Sequence, residues 1–549
     1  MGRFGVSIAL ACAAALAAAA AASASSVFVV LGRGFGHGIG MSQWGAYGYA
    51  RHGWSYPHIL RHYFPGTTLE RVGGGSVRVL LGEGRAHYTI GCPAPLTVAD
   101  GAGRTRRLAA DFYALGPQLK LPVGHRRVRV RARHGHHRAR FRRVAVRRAL
   151  PPPLTFDCPA APLSINGSSY HGRLVIYRWG GRLAAVNVVS LEAYLCGVVG
   201  GEMPPRWNLA ALEAQAVAAR SYALATLKPD DAFDLYDDTR SQVYGGIAYE
   251  NARTNLAIAR TSGRILTWHG RPATTFFFSS SGGRTAAIHD VWPAARPLPY
   301  LRSVADPYDA RSPHHRWGPI AVTPAELAAR LHAPSLRFAH SLHVVRNGSG
   351  RAAAVEVGGR RIAATRLEAR LGLQSTWFRV GELSLSAAAA RVVIGGEVLL
   401  HGSASGLGTT ALQQRDSAGR WRTIRLLQPG SFAVRVSPSA STGFRIASRG
   451  VAVAPVAVAV APRLHVVVAP SGRLVGRVSP RTSARVVVAR RTRRGWRVAA
   501  RPLLDASGRF SLPIRGTGEL RVTVAAGRSL SSAVTHLHPR SRYLAAVGP

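Results

Sequence analysis

The most regular amphipathic stretch of the chain begins at Asn208. Apolar residues recur at Leu209, Leu212, Ala216, Ala219, Ala223 and Leu227, the spacing of one helical face. Pro204 and Pro205 stand just ahead of it, where a fixed φ and a missing N–H suit the approach to a helix and not its interior. Upstream, Leu163 to Val199 reads as strands, with a hairpin turn at Gly180–Gly181. This pattern puts Glu202 on a short loop between a strand end and a packed helix. Ser76 to Tyr113 alternates apolar and polar residues and predicts further strands. Tyr47–Leu60 and Asn251–Arg260 predict helices, the first closed by a turn within His62–Leu69, and Ile265–Phe278 returns to strand. After Val380 short strands rich in Val, Ala and Arg alternate with Gly and Ser turns. Gly419–Val436 is similar there to Gly495–Ile514: a Trp strand, a Gly–aromatic turn, a second strand. The pattern predicts an α+β fold, mainly β with a few helices, followed by two all-β, sandwich-like repeats over residues 381–462 and 463–549.

Charge changes this picture. The 549 residues carry a formal net charge of +47, almost all of it arginine, since Lys120 and Lys228 are the only lysines. Part of that skew reflects a codon bias toward GC-rich triplets. A surplus of this size still attracts nucleic acid, anionic lipid or an anionic cell wall. The start of the chain selects among them. Arg3, an alanine-rich apolar run from Phe4 to Ala22 and the small residues Ala22-Ser23-Ala24 form a secretory signal pattern over residues 1–24. Cys12 lies inside that run without a lipoprotein context, and no later segment is long enough to span a membrane. An exported, cell-wall-associated protein meets anionic wall polymers and not nucleic acid. The densest basic run, Gly124–Arg148, predicts a strand with one arginine face, either simply solvated or adhering to such polymers. His134, His136 and His137 have no acidic or cysteine partner nearby in sequence, which argues against a metal site.

Outside the membrane disulfides persist. Cys92 and Cys158 flank the arginine-rich interval, about residues 92–158, and each precedes Pro-Ala, so these two are the expected pair. Cys196 then remains in an apolar stretch, where it reads as a small buried residue. A nucleophile there would lack a flanking histidine.

Candidate chemistry lies in three further blocks. Gly34–Gly45 reads GFGHGIGMSQWG, with glycines for close backbone approach and His37, Ser42, Gln43 and Trp44 as groups suited to a sugar site. It is not a phosphate-binding loop, because no Lys-Ser or Lys-Thr follows. In Asp234–Gly246, Gln242 suits hydroxyl bonding and Tyr244 ring stacking. Ser279-Ser280-Ser281-Gly282-Gly283 reads as a polar loop that touches substrate; a serine nucleophile there would need a base, and His289 is the nearest.

Read together, GEMPPRW and ALEAQAVAARSYAL (within Gly201–Leu224) resemble the core signature of the stage II sporulation protein D and LytB amidase-enhancer family. DDTRSQVYGG (Asp237–Gly246), FFFSSSGGRT (Phe276–Thr285) and GRGFGHGIGMSQWGAYGYA (Gly32–Ala50) resemble it too, as do Tyr300–Asp309 and His314–Trp317. The resemblance covers Gly32–Val380, which sets a domain at residues 25–380. It implies peptidoglycan lytic transglycosylase chemistry, with Glu202 catalytic. It further implies substrate contacts from His37, Ser42, Gln43, Arg220, Gln242, Tyr244, Ser279, Ser280, Ser281 and Gly282. Some members hold zinc through Cys and His around the third motif; here Ser241 takes the place of that cysteine, so no cofactor is expected. In the family the glycine–histidine block commonly follows a segment like Gly372–Val380. Here it stands at the N-terminus, an order that resembles a circular permutation and predicts that Gly32–Ala50 packs beside Gly372–Val380 and near Glu202.

Ordinary glycoside hydrolysis needs two carboxylates, whereas a lytic transglycosylase needs one, which protonates the glycosidic oxygen and then takes a proton from the muramic acid 6-hydroxyl. Both steps are assigned to Glu202. A helix N-terminus beside it would lower its pKa, while apolar Met203 and Trp207 would raise it and Arg206 would oppose them. The family's substrate is glycan stripped of stem peptides, which implies a partner N-acetylmuramoyl-L-alanine amidase. The rival readings are a non-catalytic amidase enhancer that binds wall, and a hydrolase pairing Glu202 with Asp237, Asp238 or Asp306.

Overall fold

The computed structural model describes residues 24–130, 140–480, 485–514, 518–525 and 530–538. The signal pattern up to Ser23, with Cys12, and His134, His136 and His137 lie outside the described residues. The architecture is α+β, strand-dominated, and every described element beyond Ala387 is a strand. No helix among the described residues is long and apolar enough to cross a membrane.

The strand Ala24–Gly32 shows how the sequence ties the molecule together. Its side chains alternate between two faces. Phe28 and Val30 enter a core with Trp317, Leu327, Leu367 and Phe378. Val27 and Val29 enter a different core with Leu383, Leu400 and Phe444 of the first C-terminal repeat. The strand sits inside a five-stranded sheet, between Trp317–Val322 and Phe378–Ala387, antiparallel to both. Phe378–Ala387 runs unbroken across position 380 and pairs onward with Val398–Ser405, so the region up to residue 380 and the first repeat share this sheet.

The expected contact between Gly32–Ala50 and Gly372–Val380 forms. Gly32 lies opposite Phe378, the Arg33 N–H donates to the Trp377 carbonyl at 2.9 Å, and the Gly36 N–H donates to the Gln374 carbonyl at 2.9 Å. The glycine block therefore leaves the sheet beside Gly372–Val380.

A seven-stranded sheet carries the other half of the region. Its hairpin Arg173–Trp179/Arg182–Ser190 turns at Gly180 and Gly181, both at positive φ. Cys92 and Cys158 form a disulfide in its core, and the paired strands Lys120–Val130 and Arg140–Ala149 extend from the interval between them.

Two helix expectations need correction. The chain does not reach Glu202 as a strand: Arg182–Ser190 hands over to a helix, Leu191–Glu202, whose N-cap Ser190 accepts from the Ala193 N–H. Valines on both sides suggested strand, and the helix buries Leu191, Tyr194, Leu195, Gly197, Val198 and Val199, which leaves no polar face to reveal its period. The predicted Tyr47–Leu60 helix is two, Gln43–Arg51 and Tyr56–Tyr63, separated around Gly53 at φ +82°. The central helix, Leu209–Ala225, forms as predicted, with the Asn208 side chain accepting from the Ala210 N–H, though Leu227 falls beyond its end. Ala216, Ala219 and Ala223 pack on the seven-stranded sheet. Leu212, Val217 and Ala218 pack on a second core built with Tyr49, Ile59 and Tyr63. Ala252–Arg260 forms the other predicted helix, with Asn251 as its cap.

Candidate functional site

Glu202 is the last residue of its helix, and its carboxylate is held on both oxygens. Oε2 accepts from Gln43 Nε2 at 3.0 Å and Oε1 from the Val243 N–H at 3.2 Å. Gln43 is the first residue of the helix that the glycine block feeds, and Ser42 caps that helix. Three of the sequence blocks thus converge on one carboxylate.

The carboxylate borders a cleft of about 420 Å³. Gln43, His37, Tyr222, Ser241, Ser279 and the run Phe276–Phe278 line it, and Phe35 and Trp292 stand exposed at its edges. Glu202 is the one carboxylate in the lining. Burial pushes its pKa up, while the Val243 and Gln43 hydrogen bonds pull the other way without cancelling that push. The tension seen in the sequence is resolved by geometry. Glu202 sits at a helix C-terminus, the negative end of the dipole, which disfavours a carboxylate and adds to the effect of burial. Met203 and Trp207 are buried beside it, and Arg206 points to solvent.

His37 is held as a neutral ring. The Ile39 N–H donates to Nδ1 at 3.0 Å, which leaves the proton on Nε2 to donate to the Phe277 carbonyl at 3.1 Å. The rings of Phe276, Phe278 and Trp292 pack around it. Burial and the Arg351 charge hold its pKa down at about 4. It offers the cleft a ring face and no free nitrogen.

Of the predicted contact residues, the cleft contains His37, Gln43 and Ser279. The others are corrected. Ser42, Ser280, Ser281 and Gly282 surround a buried carboxylate that sequence reasoning missed, Asp309. It accepts from Ser42 Oγ, Ser280 Oγ, the Ser281 and Gly282 N–H groups and His315 Nδ1 at 2.8–3.0 Å. Ser42, Ser280 and Ser281 are fully buried, so this loop braces the glycine block instead of meeting a ligand. Arg220 is fully buried in a bidentate pair with Glu192 at 2.8 Å. Gln242 bonds Tyr194 Oη and the Ala219 carbonyl, and Tyr244 Oη donates to Asn187; both are buried. Buried polar groups need partners, and these found theirs inside the protein.

The aromatic lining was also missed, although FFF precedes the serine run in plain view; a continuous apolar run does not show which side faces a cleft. The other acids stand apart from the lining. Asp306 is fully buried, accepts from Tyr63 Oη at 2.9 Å, and is pushed up to about 7 by burial and by Asp309. Asp238 pairs with Arg240 at 2.9 Å on the surface. Asp237 is half-buried and does not line the cleft.

For zinc the residues do not fit. Ser241 Oγ accepts from the Tyr236 N–H at 3.1 Å, and no group of three His, Cys, Asp or Glu able to hold a metal occurs among the described residues. Cys196 packs against the sheet core, and burial pushes its thiol up to about 11, an unreactive setting.

Residues 180–268 match the family described as SpoIID, stage II sporulation protein. The chain is 36% identical over 149 residues to stage II sporulation protein D of Bacillus subtilis, covering 24% of this chain and 43% of that one. It is 40% identical over 115 residues to the amidase enhancer of the same organism, covering 21% of this chain and 15% of that one. An uncharacterised protein of Brachyspira hyodysenteriae is 36% identical over 144 residues, covering 26% and 39%. The chain thus spans less than half the length of these relatives. The similarity is therefore to the SpoIID family over residues 180–268, and to relatives named for stage II sporulation and for amidase enhancement.

Proposed function

We propose that this SpoIID-domain chain is an exported lytic transglycosylase that cuts peptidoglycan glycan strands with Glu202 as its single acid and base. The observation that carries the reading is one carboxylate, raised in pKa, in a cleft walled by aromatic rings. Aromatic faces suit the apolar faces of sugar rings, and the few polar groups fix orientation. Protonated Glu202 gives its proton to the glycosidic oxygen, and the bond from that oxygen to muramic acid C1 breaks. The glycan fragment leaves as an alcohol. The Glu202 carboxylate then takes the proton of the 6-hydroxyl as that oxygen bonds to C1, closing the 1,6-anhydro ring. The acid ends protonated, ready for another cut, and no water is consumed. Gln43 and the Val243 N–H orient the carboxylate and stabilise its charged form between the two steps. No second carboxylate lines the cleft to activate a water, which disfavours the hydrolase reading. The scheme needs no metal.

The signal pattern and the Cys92–Cys158 disulfide support export. The arginine surplus supports adhesion to anionic wall polymers. Glycan stripped of stem peptides is the proposed substrate, which requires a prior amidase. The similarity to an amidase enhancer keeps a second reading in play: wall binding that stimulates an N-acetylmuramoyl-L-alanine amidase without chemistry. Purified protein on denuded glycan, with mass spectrometry of the products, separates the two. Anhydromuramyl ends support the enzyme, and their absence supports the enhancer.

A further inference from the structure

Beside the acid-bearing cleft lies a second one of about 490 Å³, and its lining is of another kind. Five of its thirteen lining residues are arginines: Arg33, Arg316, Arg346, Arg379 and Arg449. They come from five separate segments, the last of them in the first C-terminal repeat. All are exposed, no Asp or Glu lines the cleft, and none of the five forms an ion pair among the described residues. Every acidic residue of the chain lies among the described residues.

Four of these side chains are held in place without being neutralised. Arg346 donates to the Gly350 carbonyl at 2.8 Å and to the Phe378 carbonyl at 3.3 Å. Arg449 Nε donates to the Leu407 carbonyl at 3.0 Å, and Arg379 to the Gly406 carbonyl. The Arg33 guanidinium lies 5.5 Å over the Trp377 ring. A guanidinium has five N–H donors, so each keeps donors to spare. The crowding carries an energetic penalty: burial, then the charges of Arg449, Arg33 and Arg316, pull the Arg379 pKa down. Arg449 also occupies a left-handed turn position, φ +51°, ahead of Gly450, a site that favours Asn. Compositional bias does not account for this, because the acid-bearing cleft has one lining arginine, Arg240, already paired with Asp238.

The two clefts are neighbours along the glycine block. Arg33 lines one and Phe35 the other, and two residues of chain span about 7 Å at most. We propose that the arginine cleft is an oxyanion subsite that takes free carboxylates of the glycan strand lying in the acid-bearing cleft. The proposal rests on the glycan reading of that cleft. Removing a stem peptide leaves a lactyl carboxylate on the muramic acid, so a denuded strand presents a regular series of such anions. Arginine forks match carboxylates bidentately. The subsite would thereby favour stripped strands over peptide-bearing ones. Phosphodiesters of wall polymers share the chemistry, and the test separates them.

Full-length Glu202→Gln protein, which is not expected to cut, is titrated calorimetrically with three polymers. These are denuded glycan, denuded glycan with its carboxyls converted to amides, and polyglycerol phosphate. Amide capping is expected to weaken glycan binding about tenfold. Adding Arg316→Gln and Arg379→Gln should weaken binding to uncapped glycan equally and leave the capped glycan unaffected, with an unchanged melting temperature. Glycan binding that ignores both capping and substitution overturns the subsite and leaves the acid cleft reading intact. A substitution effect confined to polyglycerol phosphate overturns it in favour of a phosphodiester site. Failure of any glycan to bind overturns the glycan reading of the acid cleft, and the subsite with it.

Discussion

A side chain that must hold a proton to act cannot also be the most stable choice for its position. The folded pKa of Glu202 is raised, so its contribution to stability is full below about pH 4.5 and is lost as pH rises through the folded value. Glu202→Gln should therefore melt no lower than the parent at pH 8 while losing its chemistry, a pattern that calorimetry and product assay together can read. Asp306 behaves alike, with a pKa raised to about 7. Asp306→Asn keeps an acceptor for Tyr63 and should stabilise the protein at pH 8 by up to a few kcal/mol. His37 has the opposite sign. Its folded pKa is depressed to about 4, so stability is full above about pH 6.5 and declines as pH falls toward 4. An isosteric Asp306→Asn background should expose that decline in acid melting curves. At this scale the sequence was most informative about Glu202 and Gln43, whose motifs survive as a direct 3.0 Å contact. It misled at Arg220, Gln242, Tyr244 and the serine run. A polar residue inside a motif reads the same whether it meets substrate or a buried partner such as Asp309.

Among the elements, the glycine block has the tightest backbone requirement. Gly40 adopts φ +77°, and a Cβ there would lie 2.1 Å from the Phe276 carbonyl oxygen. Gly40→Ala should separate the block from the cleft floor, destabilise by roughly 2–4 kcal/mol in denaturant titration, and weaken activity through loss of the Gln43 contact. Asn208→Ala, which removes only a cap, should cost about 1 kcal/mol and spare activity. The central helix was legible from its period and from the prolines ahead of it. The acid-bearing helix was not, because a helix buried nearly all round has no polar stripe. Ser190, followed by Glu192 in the first turn, was the only local sign of its start.

For the whole molecule, the order of segments carried more information than their composition. The N-terminal position of the glycine block predicted a contact with Gly372–Val380, and the bonds from Arg33 to Trp377, 344 positions apart, and from Gly36 to Gln374, 338 apart, are among those that make it. What the order did not disclose is that the same strand also closes the first repeat's core through Val27 and Val29. The first repeat is thus built into the region that carries Glu202. The disulfide belongs to this scale too: Cys92 and Cys158 are 66 residues apart, so replacing both with Ser should cost about 4 kcal/mol of stability with cleavage retained. The central claim concerns a single acid, and product ends report on it. Purified protein should convert denuded glycan to fragments ending in 1,6-anhydromuramic acid, and the Glu202→Gln protein should yield none. Reducing ends from the parent protein, or undiminished anhydro ends from the variant, would contradict it.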